Sequence, residues 1–154
     1  MDIKGYKCEA NDKFLQFDFY SEGPKGKIKK VIEFIPRNTG GKTYFNLSFG
    51  DWNEATQKLD DTVISNNQDR EKILATVASA VLRFTSHFSD MPVYAQGSTP
   101  ARTRLYQMGI SSRWKDIEPL LHVYGYVNKK WEVFRPSVRY DAFIAFKKQI
   151  INLN

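Results

Sequence analysis

In the first third of the chain, apolar and polar residues alternate with a period of two. Leu15, Phe17 and Phe19 are separated by Gln16 and Asp18, the pattern of a half-buried strand. Ser21 to Gly26 contains Gly23, Pro24 and Gly26 and reads as a turn. Lys27 to Ile35 is the return strand, with Ile28, Ile32 and Phe34 on one face. Gly40 and Gly41 turn the chain again, and Thr43 to Phe49 follows with Phe45, Leu47 and Phe49 sharing a face. Consecutive strands joined by short turns predict an antiparallel meander. Gly50 to Gln68 is polar and reads as a long loop or a loop with one helical turn.

At Asp69 the period changes. Ile73, Val77, Val81, Phe84 and Phe88 recur at spacings of three and four, and Leu74 and Ala78 widen the stripe. This predicts a helix from Asp69 to Phe88, packed on the sheet. Asn67 is the expected N-cap, and Asp69 and Glu71 suit the first turn of the helix dipole. Met91 to Gln96 reads as a short strand. Thr99 followed by Pro100 opens a second helix, which Gly109 is expected to stop. A third, short helix carries Trp114 and Ile117 before Pro119. Leu120 to Val127 and Trp131 to Phe134 form a hairpin about Asn128 to Lys130, and Tyr140 to Phe146 is either a strand or a terminal helix. The expected fold is α+β in one domain over residues 1–154. It has an N-terminal antiparallel three-stranded meander, a long helix packed on the sheet, then a strand, short helices and further strands.

Composition supports a packed core. Of 154 residues 42% are hydrophobic and 14% aromatic, which excludes a disordered chain and removes the need for a disulfide or metal staple. Cys8 is the one cysteine, so no internal bridge forms. No apolar leader core follows Met1, and no run reaches the ~18 apolar residues of a membrane span. A cytoplasmic protein without a membrane partner is expected. The net charge of +6 and pI near 9.4 direct attention to nucleic acid or a phosphorylated ligand.

The segment from Gly97 to Lys115 has four basic residues (Arg102, Arg104, Arg113 and Lys115) and no acid. A helix that starts within three residues of a strand end offers free N–H groups and a positive dipole end to an anion. Gly97 would admit the anion, Ser98 and Thr99 would donate hydroxyls, and Arg102 and Arg104 would bind phosphate. An ordinary capped helix whose arginines pair with Asp51, Asp60 or Asp61 explains the same residues. Lys27 and Lys29 share a strand face beside Lys25 and Lys30, either as edge-guarding lysines or as a phosphate contact. Lys129, Lys130, Trp131, Arg135 and Arg139 interleave with Tyr124, Tyr126 and Tyr140. Such residues stack bases or simply line a half-buried sheet face. Asp51, Glu54, Asp60, Asp61 and Asp69 are in polar sequence where carboxylates are usually solvated, so no metal is expected. His87 and His122 read as structural. There is no Walker A motif, dinucleotide fingerprint, HExxH, CxxC or Gly-x-Ser-x-Gly. No cofactor is expected and no catalytic residue is assigned.

Several segments together carry a family resemblance. They are Ser21 with Gly23 to Gly26, Asn46-Leu47 with Phe49-Gly50-Asp51, Asp60-Asp61, Ser65-Asn66-Asn67 with Asp69, Leu74 to Val77, and Gly97-Ser98-Thr99 with Arg102 to Tyr106. Through them the chain resembles a family of short uncharacterised bacterial proteins of unknown function. The resemblance implies a self-contained domain and supplies no activity, cofactor or substrate. The strand–strand–strand–helix–strand order is also similar to that of ribonuclease H-like folds, which implies acids on the first strand and at the end of the fourth. Asp18 fits the first place, but Gln96-Gly97 ends the fourth strand without an acid.

The favoured functional reading is a basic module that binds nucleic acid or a phosphate-bearing ligand through Gly97, Ser98, Thr99, Arg102, Arg104 and Arg113, with Lys27 and Lys29. One alternative is a small phosphoryl-transfer or nucleic-acid-cleaving enzyme, the effector of a toxin–antitoxin or defence pair, with Tyr106, His122 or Asp51 handling protons. The other is a protein-interaction domain with its partner docked around Tyr124 to Trp131.

Overall fold

The computed structural model describes residues 4–61 and 65–149. Among them one mixed sheet and three helices account for the regular structure. The strands are β1 (Glu9–Ala10), β2 (Gln16–Gly23), β3 (Gly26–Thr39), β4 (Lys42–Asn53), β5 (Lys58–Asp60), β6 (Val93–Ala95), β7 (Leu121–Val127), β8 (Lys130–Val133) and β9 (Ala142–Lys147). The helices are α1 (Arg70–His87), α2 (Pro100–Ser112) and α3 (Trp114–Ile117). Across the sheet the order is β1-β2-β3-β4-β6-β9-β7-β8, with β5 added on β4.

β2, β3 and β4 pair antiparallel. Their second turn is tight because Gly40 and Gly41 both have positive φ, 59° and 79°, which matches the right-handed twist of the flanking strands. β4 continues past the expected end. The polar run after Gly50 is neither a plain loop nor a helical turn. Its first part is a further hairpin, in which the Asn53 Oδ1 accepts from the backbone N–H groups of Ala55 (2.9 Å) and Thr56 (3.1 Å) and β5 returns along β4. A side-chain-built turn of this kind leaves no apolar alternation to read. Residues 62–64 of that run lie outside the described residues.

After α1 the chain re-enters the sheet as β6, parallel to β4. β9 then lies between β6 and β7, so the segment with the strand-or-helix ambiguity is a strand.

Two helix boundaries differ from expectation. Asp69, not Asn67, occupies the N-cap position of α1. Asn67 is 1% exposed, and its amide donates to the Gly26 carbonyl (2.9 Å) and the Ser21 hydroxyl (3.1 Å) while its Oδ1 accepts from Lys25 N–H (2.7 Å). It clamps the β2–β3 hairpin instead of capping the helix. α2 runs through Gly109 to Ser112. Gly109 is buried, and a Cβ placed on it would lie 3.6 Å from the Leu74 side chain. That is ordinary contact distance, so Gly109 lies against α1 inside the helix and does not stop it.

Strand alternation separates two faces. Phe17, Phe19, Ile32, Phe34, Phe45, Leu47, Val93, Val123 and Phe143 point to the helices and form the core with Val77, Ala80 and Phe84 of α1. Phe84 is wholly buried, stacked on Phe34 (4.0 Å between centroids) and edge-on to Phe45 (5.1 Å). No described helix is long and apolar enough to cross a membrane.

Candidate functional site

Between α1, α2 and the sheet lies a cavity of about 1050 Å³. Leu47, Val77, Val81, Leu105, Val123 and Phe143 are among its apolar walls. Its polar lining comes from the end of the meander, the segment before α1 and the first turns of α2: Lys30, Asp51, Ser65, Asn67, Asp69, Arg102 and Tyr106.

Lys30 and Asp51 are cross-strand partners in the β3–β4 register. Lys30 shares the parity of Ile32 and Phe34, so strand alternation turns it toward the helices. It is 4% exposed and its ammonium donates to the Asp51 carboxylate and, at 2.6 Å, to the Ser65 hydroxyl. A charge this buried requires both partners. Lys27 and Lys29, of opposite parity, point the other way. That parity is the signal in the sequence that separates Lys30 from its neighbours in the basic run.

The Asp69 carboxylate accepts from the Tyr6 and Ser21 hydroxyls through Oδ2, both at 2.5 Å. Its Oδ1 is buried and has no hydrogen-bond donor among the described residues. Burial, and then the hydrogen bond to Asp69, push the Tyr6 phenol above its ordinary pKa. Arg102 is 7% exposed, and its Nη1 donates to the Phe49 carbonyl at 3.2 Å. One turn further on, burial pushes the Tyr106 phenol up to about 12 against a smaller downward pull from Arg102. Tyr106 is therefore a neutral hydroxyl at physiological pH.

The Gly97 N–H donates to the Thr103 hydroxyl (2.9 Å). A Cβ at Gly97 would lie 2.4 Å from Thr103 N and 2.5 Å from Arg102 Cβ, so the glycine is required by the close approach of the strand end to its own helix. The Ser98 hydroxyl donates to the Asp61 carbonyl (3.1 Å) and Thr99 caps α2 by accepting from Arg102 N–H (3.2 Å). Gly97, Ser98 and Thr99 thus hold the start of α2 in place, and Arg102 and Tyr106 reach the cavity. Arg104 is exposed and outside it. Arg113 pairs with Asp116 at 3.6 Å, Lys27 with Glu22 at 3.6 Å, and Lys29 with Asp18 at 3.9 Å while lying 5.2 Å from the Trp52 ring. These four are not brought together with Arg102.

The ribonuclease H-like likeness fails at its carboxylates. Asp18 lies on β2, separated from β6 by two strands, and β6 ends without an acid. Among the described residues no three His, Cys, Asp or Glu side chains are grouped to hold a metal. His87 stacks on Phe14 at 4.5 Å and His122 is exposed beside Phe146, so neither reaches the cavity. Burial raises the Cys8 thiol to about 11, which removes its thiolate at neutral pH.

What the cavity offers is an apolar chamber with fixed donors and acceptors at one side. Phe49-Gly50-Asp51, Ser65 to Asp69 and Arg102 to Tyr106, three of the segments that carry the family resemblance, meet there. No curated protein and no solved structure matches the chain. A family model does match, over residues 2–148, and the chain therefore belongs to DUF6934, a family of unknown function.

Proposed function

We propose that the protein binds a small amphipathic molecule in the cavity under α1 and α2. The observation that carries this reading is the conjunction of a largely apolar chamber with a buried carboxylate oxygen, Asp69 Oδ1, that has no donor among the described residues. The volume is that of a small-molecule site, and buried polar atoms are normally satisfied. A ligand hydroxyl or amine supplies the missing donor. The Lys30–Asp51–Ser65 group and the Tyr106 hydroxyl hold the rest of a polar head, and the aliphatic walls hold an apolar body. The lining charges Lys30, Arg70, Lys72 and Arg102 are offset by Glu22, Asp51, Asp69 and Glu71, which favours a head group with hydrogen bonds over one with high charge.

Two measurements test this. Organic extraction of natively purified protein followed by mass spectrometry is expected to recover a stoichiometric small molecule. The fluorescent probe 1-anilinonaphthalene-8-sulfonate should bind the emptied protein, and Val81→Trp, which narrows the chamber, should weaken that binding on the order of tenfold. Probe binding that is absent, or indifferent to Val81→Trp in a folded variant, rejects the cavity as a site.

A further inference from the structure

The sheet face turned away from the helices is aromatic over its C-terminal half. Tyr44 of β4, Tyr94 of β6, Phe146 of β9, Tyr124 and Tyr126 of β7 and Trp131 of β8 all lie on it by strand parity and pairing register. Tyr44 and Tyr94 are 6.0 Å apart, Tyr94 and Trp131 6.2 Å, and Tyr126 and Trp131 5.1 Å, while Tyr124 stacks on Phe146 at 5.9 Å. Tyr44, Tyr94, Trp131 and Tyr126 form one run of rings with the Tyr124–Phe146 pair on the same face, yet Trp131 is 44% and Val133 64% exposed. In a monomer such a tract is unusual without a partner.

Charge distinguishes one partner from others. Arg37 and Lys42 stand on the same face beside Tyr44, both exposed and with no carboxylate partner among the described residues. Lys129 stands at the opposite end, in the β7–β8 turn. No Asp or Glu lies on the aromatic tract itself. The nearest carboxylate on this face by register is Glu33, opposite Ser48 on the β3–β4 pair. Cations at both ends of an acid-free aromatic tract complement a polyanion that carries its own flat rings.

We propose that this open face binds single-stranded nucleic acid, with bases stacked on Trp131, Tyr94 and the neighbouring tyrosines and phosphates held by Arg37, Lys42 and Lys129. From β4 to β8 the tract crosses four strand spacings, roughly 19 Å, which accommodates about two or three stacked bases. A duplex keeps its ring faces inside the helix, so the platform selects unpaired strands. The site lies on the opposite side of the sheet from the cavity and does not depend on it.

Fluorescence anisotropy of labelled oligouridylate and oligothymidylate, with a matched duplex, tests the proposal on the full chain across a salt series. Single strands should bind, more weakly as salt rises, and better than the duplex. The RNA and DNA arms show which sugar is preferred. Trp131→Ala and Tyr94→Ala should each weaken binding about five- to a hundredfold, with Trp131→Phe retaining most of it. The Arg37→Ala, Lys42→Ala double variant should reduce the salt slope by about two. Cooperative melting within a few degrees of the parent chain shows that the variants are folded. The proposal is overturned by no single-strand binding at low salt, by a duplex bound as tightly as the single strand, or by affinity indifferent to both Trp131→Ala and Tyr94→Ala. It is also overturned if this face instead pairs two copies of the chain, seen as a dimer that Trp131→Ala dissociates.

Discussion

The two faces of the sheet are made by the same strands, one residue apart, and they have different chemistry. Toward the helices the rings are phenylalanines at 0–8% exposure, Phe17, Phe19, Phe34, Phe45 and Phe143, closed over by Phe84. On the other side, in the C-terminal half, they are four tyrosines and a tryptophan with Phe146, of which Trp131 is 44% exposed. A phenol or indole has an apolar body and a polar rim, so it suits a surface that is dry in part. The covered face stabilises the fold. The open face has aromatic area that the fold itself does not bury. The cavity is a partial exception on the covered side, where helices and sheet do not close and a buried ion pair marks the gap.

That contrast breaks most directly at Phe84. Phe84→Ala should cost about 3–5 kcal/mol in chemical denaturation, whereas Trp131→Ala should cost about 1 kcal/mol or less. Equal losses would mean that the open face is as much a core as the covered one. Next in size is the ion pair. Asp51→Ala leaves the buried Lys30 ammonium without its carboxylate and should destabilise by about 3 kcal/mol, and the double change Lys30→Met, Asp51→Leu should recover much of this. A double variant no better than the single would show that the pair is needed for more than mutual neutralisation. Gly97→Ala should cost about 1–3 kcal/mol, because the new methyl must displace the backbone of Thr103. If the glycine instead serves to admit an anion, stability stays unchanged. The effect at Cys8 is confined to alkaline pH. Its folded thiol titrates near 11 against an ordinary 9.0. The unfolded thiol therefore ionises first as pH rises, and the contribution of Cys8 to stability is complete below about 9 and lost between 9 and 11. In the native protein at pH 8, about a thousandth of the thiol should be ionised, so alkylation by iodoacetamide should be slow and accelerate up to about pH 11.

Much of the architecture is readable from periodicity. The period-two runs around Phe17, Ile32 and Leu47 are β2, β3 and β4, the three-four stripe from Ile73 to Phe84 falls on α1 with Phe88 at its C-cap, and the Thr99-Pro100 start opens α2. The misses share a cause. Asn67 has the composition of a cap but answers to a neighbour far along the chain, the β2–β3 hairpin, and Gly109 has that of a helix stop but lies inside α2, packed against Leu74 of α1. Asn53 builds a turn with no apolar signal at all. At the site, Arg102 and Tyr106 stand out as candidates in a basic segment, while Lys30 sits in a run of exposed lysines from which only strand parity separates it.

Hydrophobic order along the chain settles which residues are strand or helix and which side of each element is dry, because those preferences act over two to four residues. It does not settle which elements become neighbours. β9 inserts between β6 and β7, the run before α1 folds onto the first hairpin, and Lys30 finds Asp51 and Ser65 only once β4 and that run are in place. Contacts between residues tens of positions apart depend on how whole faces pack, and no local pattern encodes them. The cavity with its polar mouth, and the join of Tyr44, Tyr94 and Trp131 into one aromatic tract, both arise at that level.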